Sequence, residues 1–393
     1  MIKKIFFAII AIGLLFSACQ KEEIEQSKAC TVNFEDNSQL HPKAAIFQEV
    51  IDNYTQKGLP GISLLIRDGD GQWAGAAGMA DIEKDIPMQV CHISKVASVT
   101  KLFVGVSVMQ LVEDGVFELD DPINQWLSEE VLSKVENADK VSIRQLMNHT
   151  TGIYDLIDDE SFYLAILNNP AKKWTPEELI QYTYGDAALF EPGTDVEYSN
   201  TNFLLMAMVI ESATGTPHHK LIRERIINPL NLNDTYYHWH ESLPDFVAQG
   251  YYDLYNNGTI IKMTNFNTGS GNGYGGIYST TYDMKVFIEA LLRDRTLLSE
   301  TALAEMLDIR TESFGTEEAY GVSIRKDFLE RGGDQYGLGH RGRDLAYTAD
   351  LFYFPEHDIT LSYLINYGTD AESELRDVFF DYRTAIVDAL IDE

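Results

Sequence analysis

The spacing of apolar positions gives this chain strand-like ends and a helical middle. Ala45, Phe47, Val50, Ile51 and Tyr54 recur at helical spacing and predict an amphipathic helix over 43–57, which Leu59-Pro60-Gly61 breaks. Two short apolar runs, 62–66 and 72–77, flank Arg67-Asp68-Gly69-Asp70-Gly71 and predict a β-hairpin. Over 96–112 the chain is almost wholly apolar or small. Val104, Val106 and Val108 alternate as in a strand, but the length of the run favours a helix, stopped at Asp114-Gly115. Residues 116–250 carry helix punctuation, including Asp121-Pro122, the capped start Thr175-Pro176-Glu177-Glu178 and a buried helix over 201–212. Another helix is expected over 281–293. Strand patterns return at 320–324, 337–342, 346–354 and 359–366, and an amphipathic helix over 371–391 closes the chain. The expected class is α+β, an α/β sandwich. One antiparallel sheet is built from both chain ends (about 41–95 and 281–393) and flanked by helices, with a mostly helical subdomain (about 96–280) inserted between.

The first residues stand apart from this pattern. Lys3-Lys4, the apolar run 5–15 and Phe16-Ser17-Ala18 before Cys19 have the layout of a secretory signal, too short for a membrane span. A cysteine after small residues resembles a bacterial lipoprotein signal, with Cys19 lipidated and 1–18 removed. The expected location is a membrane, by lipid anchor alone, facing the periplasm or the cell surface. Residues 19–40 are polar and acidic and suggest a flexible tether. Cys30 and Cys91 remain; a disulfide between them is open, since nothing in their spacing requires it.

Length allows one large domain or two ordinary ones, and a net charge of −31 over 393 residues argues against nucleic acid and anionic lipid as partners. Gly271-x-Gly273-x-x-Gly276 has the form of a dinucleotide fingerprint, but no hydrophobic strand precedes it; a backbone passing close to something explains the glycines better. His238-Trp239-His240 has no clear carboxylate partner, and no zinc spacing exists among the cysteines, so neither a metal nor a cofactor is expected. No Gly-x-Ser-x-Gly elbow occurs, which disfavours an α/β-hydrolase.

Within 96–112 the only charged residue is Lys101. Burial disfavours its charged form unless it finds a partner or snorkels to the surface. Ser98 lies three residues earlier, one helical turn away, and a hydroxyl beside a desolvated amine has the makings of an activated nucleophile. Ser-x-x-Lys alone is a weak signal. Tyr198-Ser199-Asn200, entering a buried helix, and His340-Arg341-Gly342, on a late strand, follow at about 100 and 140 residues, and the three in order are much stronger.

With these motifs the chain resembles the serine β-lactamase and penicillin-binding superfamily, in the branch of class C β-lactamases, D-alanyl-D-alanine carboxypeptidases and related esterases. The resemblance covers nearly all of 45–393. It extends to Pro60-Gly61-Ile62, Leu119-Asp120-Asp121-Pro122, the stretch 143–152 through His149-Thr150-Thr151-Gly152, and Gly275-Gly276-Ile277-Tyr278-Ser279-Thr280. It implies a β-lactamase/transpeptidase-like fold and an acyl-enzyme at Ser98, formed with a small-molecule or peptide substrate. Lys101 and Tyr198 would share the role of base, with Tyr198 as a phenolate favoured by the lysine. Asn200 would hold the amide or ester side of the substrate, and Gly342 would let its backbone lie close to the strand. The oxyanion hole would be the backbone N–H groups of Ser98 and Arg343. His149 would be structural. Class C β-lactamases carry Lys-Thr-Gly where this chain has His340-Arg341-Gly342, so a peptidase or esterase fits better than a true β-lactamase. A non-catalytic receptor of the same fold is the alternative. A neutral His340 attracts an anion weakly, so Arg341 or Arg343 either turns into the cleft to hold an anionic substrate end or pairs with surface acids such as Asp344.

Overall fold

The computed structural model describes residues 24, 26–32, 34–314, 319–370 and 373–391. The expected signal and Cys19 lie outside these residues. Helix α1 (Ala44–Gln56) leads into strands β1 (Gly61–Asp68), β2 (Gly71–Asp81) and β3 (Ile86–Pro87). Helices α2 (Thr100–Glu113) and α3 (Asn200–Thr214) belong to the middle of the chain. Strands β4 (Arg325–Asp327), β5 (Gly337–Asp344), β6 (Tyr347–Phe354) and β7 (Ile359–Ile365) and helix α4 (Glu374–Ile391) follow.

The seven strands form one sheet in the order β3-β2-β1-β7-β6-β5-β4, and every pairing is antiparallel. The first and last parts of the chain meet at β1 and β7, where Ile62 lies opposite Ile365 and Arg67 opposite Thr360. One apolar core joins this sheet to α1 and α4 through Phe47, Ile51, Tyr363, Phe379, Tyr382 and Ile386. A second core surrounds α2 and α3. Helix α2 is buried on all sides, which is why its alternating valines suit a helix as well as a strand.

Two expectations fail. Residues 320–324 form no strand: Ser323 takes a positive φ of 61°, Gly321 donates back to Ile324 O, Tyr320 makes only an isolated bridge to Arg325, and the strand starts at Arg325. Described residues of the supposed tether are held against the domain. Ser27 is buried, with its N–H donating to Asp81 and its hydroxyl to Ala80 O, and Lys28 N–H donates to Asp245 O. Cys30 and Cys91 are joined by a disulfide.

Candidate active site

Ser98 sits in a single 3-10 turn, Ala97–Val99, immediately before α2, so Lys101 occupies the first turn of the helix proper. Ala97 takes a positive φ of 49°, an unusual conformation for a residue with a side chain. The turn is stitched down on one side, where Val96 N–H donates to Ile277 O and Ile277 N–H to the Thr100 hydroxyl. On the other side it meets β5. Strand β4 pairs with β5 only over residues 337–339, which leaves the edge from His340 to Asp344 open. The Val96 carbonyl lies so close to Gly342 that a Cβ there would sit 2.1 Å from it. Gly342 is therefore required by the chain's own backbone.

The Lys101 side chain is fully buried. Its Nζ donates to Ser98 Oγ at 2.9 Å, Asn200 Oδ1 at 2.8 Å and Tyr274 O at 2.7 Å. Burial pushes the amine down to about 7, against the opposing pull of Asp155, Asp344 and Asp370. The Tyr274 carbonyl comes from the glycine-rich loop. There Gly273 (φ 110°) passes Phe203 O and Gly276 (φ 97°) passes Gly271, so the glycines serve close backbone approach, as their pattern suggests.

Tyr198 is held above its ordinary range, first by burial and then by Tyr320, although a hydrogen bond with Ser98 opposes the shift. This reverses the expected phenolate: the lysine is near, with its Nζ 5.0 Å from the ring centroid, but desolvation outweighs it. The His149 ring packs on Tyr198 at 4.4 Å and its Nδ1 accepts from Ser199 N–H, a supporting role. His340 is buried and pushed down to about 3 by burial and by Lys101, so it is neutral.

Both arginines are paired with acids of the fold itself. Arg341 donates to Asp327 through Nε and Nη2, and Arg343 Nη1 donates to Gly342 O, Ala349 O and Asp350 Oδ1. Both acids are buried, unlike the surface partners expected, and Arg383 of α4 bridges them at 2.8 Å each. Arg343 nevertheless lines the cleft over Ser98, so at this position both expected alternatives meet: the side chain reaches the cleft and is paired with an acid. Asp344 instead pairs with Lys95, just upstream of the nucleophile.

A cleft of about 410 Å³ opens over Ser98 and Asn200. Ile157, Phe162, Tyr163, Leu167, Tyr252 and Leu254 form an apolar wall, and Asp158, Arg343, Asp344 and Asp370 also line it. Asp155 lies behind Asn200 and carries no motif; its contacts with a residue 45 positions away mark it only in three dimensions.

The β-lactamase family profile matches residues 45–383. Among characterised relatives, penicillin-binding protein 4* of Bacillus subtilis is 26% identical over 330 residues, covering 80% of this chain and 69% of that protein. Protein flp of Staphylococcus aureus is 26% identical over 56% of this chain, which spans only 43% of it. Among solved structures, the D-stereospecific amidohydrolase from a Streptomyces species superposes with a TM-score of 0.73 at 30% identity, covering 82% of this chain and 94% of that one. The D-amino acid amidase of Ochrobactrum anthropi, complexed with D-phenylalanine, gives 0.74 at 26%, covering 89% and 99%. With its sheet closed from both chain ends and a serine and a buried lysine at its centre, the chain belongs to the β-lactamase family and is a serine hydrolase.

Proposed function

We propose that Ser98 forms an acyl-enzyme with amides or esters whose acyl part bears a free amine beside a bulky apolar group, as D-amino-acid amides do. The observation that carries the reading is the buried Lys101 amine, 2.9 Å from the Ser98 hydroxyl and pushed down to about 7 by burial. A neutral amine there takes the Ser98 proton as Oγ bonds to the substrate carbonyl carbon, and the carbonyl π pair moves onto oxygen. When the tetrahedral intermediate collapses, the bond to the leaving nitrogen or oxygen breaks. The Tyr198 phenol gives that atom a proton and is itself recharged from the Lys101 ammonium. Water then hydrolyses the acyl-serine with Lys101 again as base.

The substrate class follows from the charges of the cleft. Arg343 lines the cleft but its charge is balanced by Asp350, and that of Lys95 by Asp344. Asp158 is held above the ordinary carboxylate range by burial and by the neighbouring Asp370, a like-charged pair that an ammonium relieves. The apolar wall suits an aromatic or large aliphatic side chain. The similarity to D-amino acid amidase supports the same class. A Cys19 lipid anchor holding the enzyme on the outer side of a membrane belongs to this proposal. Its support is the sequence of 1–19, and Cys19→Ala would release the protein or leave it unprocessed.

A fluorophosphonate probe is expected to label the purified protein and to fail with Ser98→Ala. Asp158→Asn and Asp370→Asn are expected to raise KM several-fold for a D-aromatic amino-acid amide and to leave its N-acetylated ester unchanged. Equal effects on both substrates would overturn the ammonium site, and a wild type without label would return the protein to a receptor role.

A further inference from the structure

Lys101 Nζ has three hydrogen-bond neighbours, and two of them, Asn200 Oδ1 and Tyr274 O, are oxygens that only accept. A neutral amine has two N–H bonds and one lone pair. Its N–H bonds go to Asn200 and Tyr274, which leaves the lone pair for the Ser98 hydroxyl. This assignment holds only while Asn200 presents its oxygen. Turned end for end, the amide would offer Nδ2–H to the amine, and the lone pair would be taken before Ser98 could use it.

Asp155 decides which end faces the lysine. Its Oδ2 accepts from Asn200 Nδ2 and from Asn200 N–H, at 2.9 Å each, and its Oδ1 accepts from Ile157 N–H at 3.3 Å. The carboxylate is buried, and Asn200 is the first residue of α3, whose N-cap Ser199 makes no side-chain cap bond. Asp155 thus caps the helix from a distance and, as an acceptor-only group, requires the NH2 end of the amide.

We infer that Asp155 is a positioning residue for acylation: it fixes the orientation of the Asn200 amide and thereby aims the Lys101 lone pair at Ser98. The inference rests on the Ser98 acyl-enzyme proposed above. Asp155 touches neither substrate nor nucleophile.

A purely electrostatic role has the opposite signature. The charges of Asp155, Asp344 and Asp370 all favour the protonated lysine, so removing Asp155 alone would lower the Lys101 pKa and leave more free base at neutral pH. Orientation predicts a slower reaction even where the amine is fully neutral.

The test measures the acylation rate with p-nitrophenyl acetate against pH for wild type, Asp155→Asn, Asn200→Asp and the double variant, alongside Tm. Asp155→Asn is expected to lower the high-pH plateau about 100-fold, the scale of lost base assistance, while its acid limb moves to lower pH. In the Asn200→Asp background both ends of the side chain accept, so Asp155→Asn is expected to do no harm there and to relieve two facing carboxylates. A plateau kept within a few-fold, with only the limb displaced, would overturn the inference in favour of electrostatics. Equal losses in both backgrounds, or failure of both variants carrying Asp155→Asn to fold, would overturn it in favour of a scaffold role. Folding and acylation of the double variant alone would support it. Wild type that acylates without labelling at Ser98 would instead overturn the proposed function.

Discussion

Lys101 owes its chemistry to burial. Its side chain has no exposed surface, and desolvation moves the amine from the ordinary lysine range to about 7. In the proposed mechanism the free amine is the active form, so acylation is expected to rise as pH increases through about 7 and then level off. Lys101→Ala is expected to lower kcat/KM at least ~100-fold and to remove that limb, read from a pH–rate profile on a neutral ester. A variant that kept both would show that another group takes the proton. Ser98, Lys101, Tyr198 and Asn200 are legible in the sequence because each sits in a short motif and the motifs keep their order. The protonation of Tyr198 is not legible: the adjacent lysine is visible in the motif, whereas the burial that outweighs it is a property of the packed site. Asp155 is silent for a related reason, since its meaning lies in two hydrogen bonds to a residue 45 positions away.

At the scale of elements, β5 has two faces with different duties. Gly342 meets the Ser98 turn and His340 lies near Tyr198, while Arg341 and Arg343 join a charge network with Asp327, Asp350 and Arg383, Arg343 also reaching the cleft. The alternation of a strand predicts this split; the buried acids that complete it come from β4 and β6 and are invisible until the register is known. Asp350 accepts from Arg343, Arg383 and the Tyr363 hydroxyl in the centre of the sheet. Asp350→Ala would strand these donors and is expected to destabilise the fold by about 3–5 kcal/mol, measured by urea unfolding. A loss below about 1 kcal/mol would mean that the network contributes little. Strands β1, β2, β5, β6 and β7 follow from alternation and turns. The failure at 320–324 shows that apolar alternation without a free backbone partner does not make a strand.

The whole molecule holds several histidines neutral. His218, His238 and His340 are each pushed down to about 3 by burial, and His149 well below its ordinary value. Below about 6.5 the unfolded chain binds protons on these rings that the folded chain refuses. Asp155, Asp158, Asp283 and Asp370, raised by burial, act in the opposite sense, but they are fewer than the seven histidines held down among the described residues, which also include His92, His219 and His240. Stability is therefore expected to fall between pH 7 and pH 5, with a lower Tm in a calorimetric scan; a flat or rising Tm would contradict the balance. Such a balance cannot be found from composition, because the sequence shows the rings and not their solvation. The Cys30–Cys91 bridge has a mechanical consequence. A force entering through the N-terminal segment and leaving at α4 crosses from residue 30 to residue 91 through sulfur, a sequence separation of 61 that bypasses α1, β1, β2 and β3. These elements, three of them strands of the main sheet, cannot be peeled away from that end, and roughly 200 Å of chain stays out of the extension until the bridge is reduced.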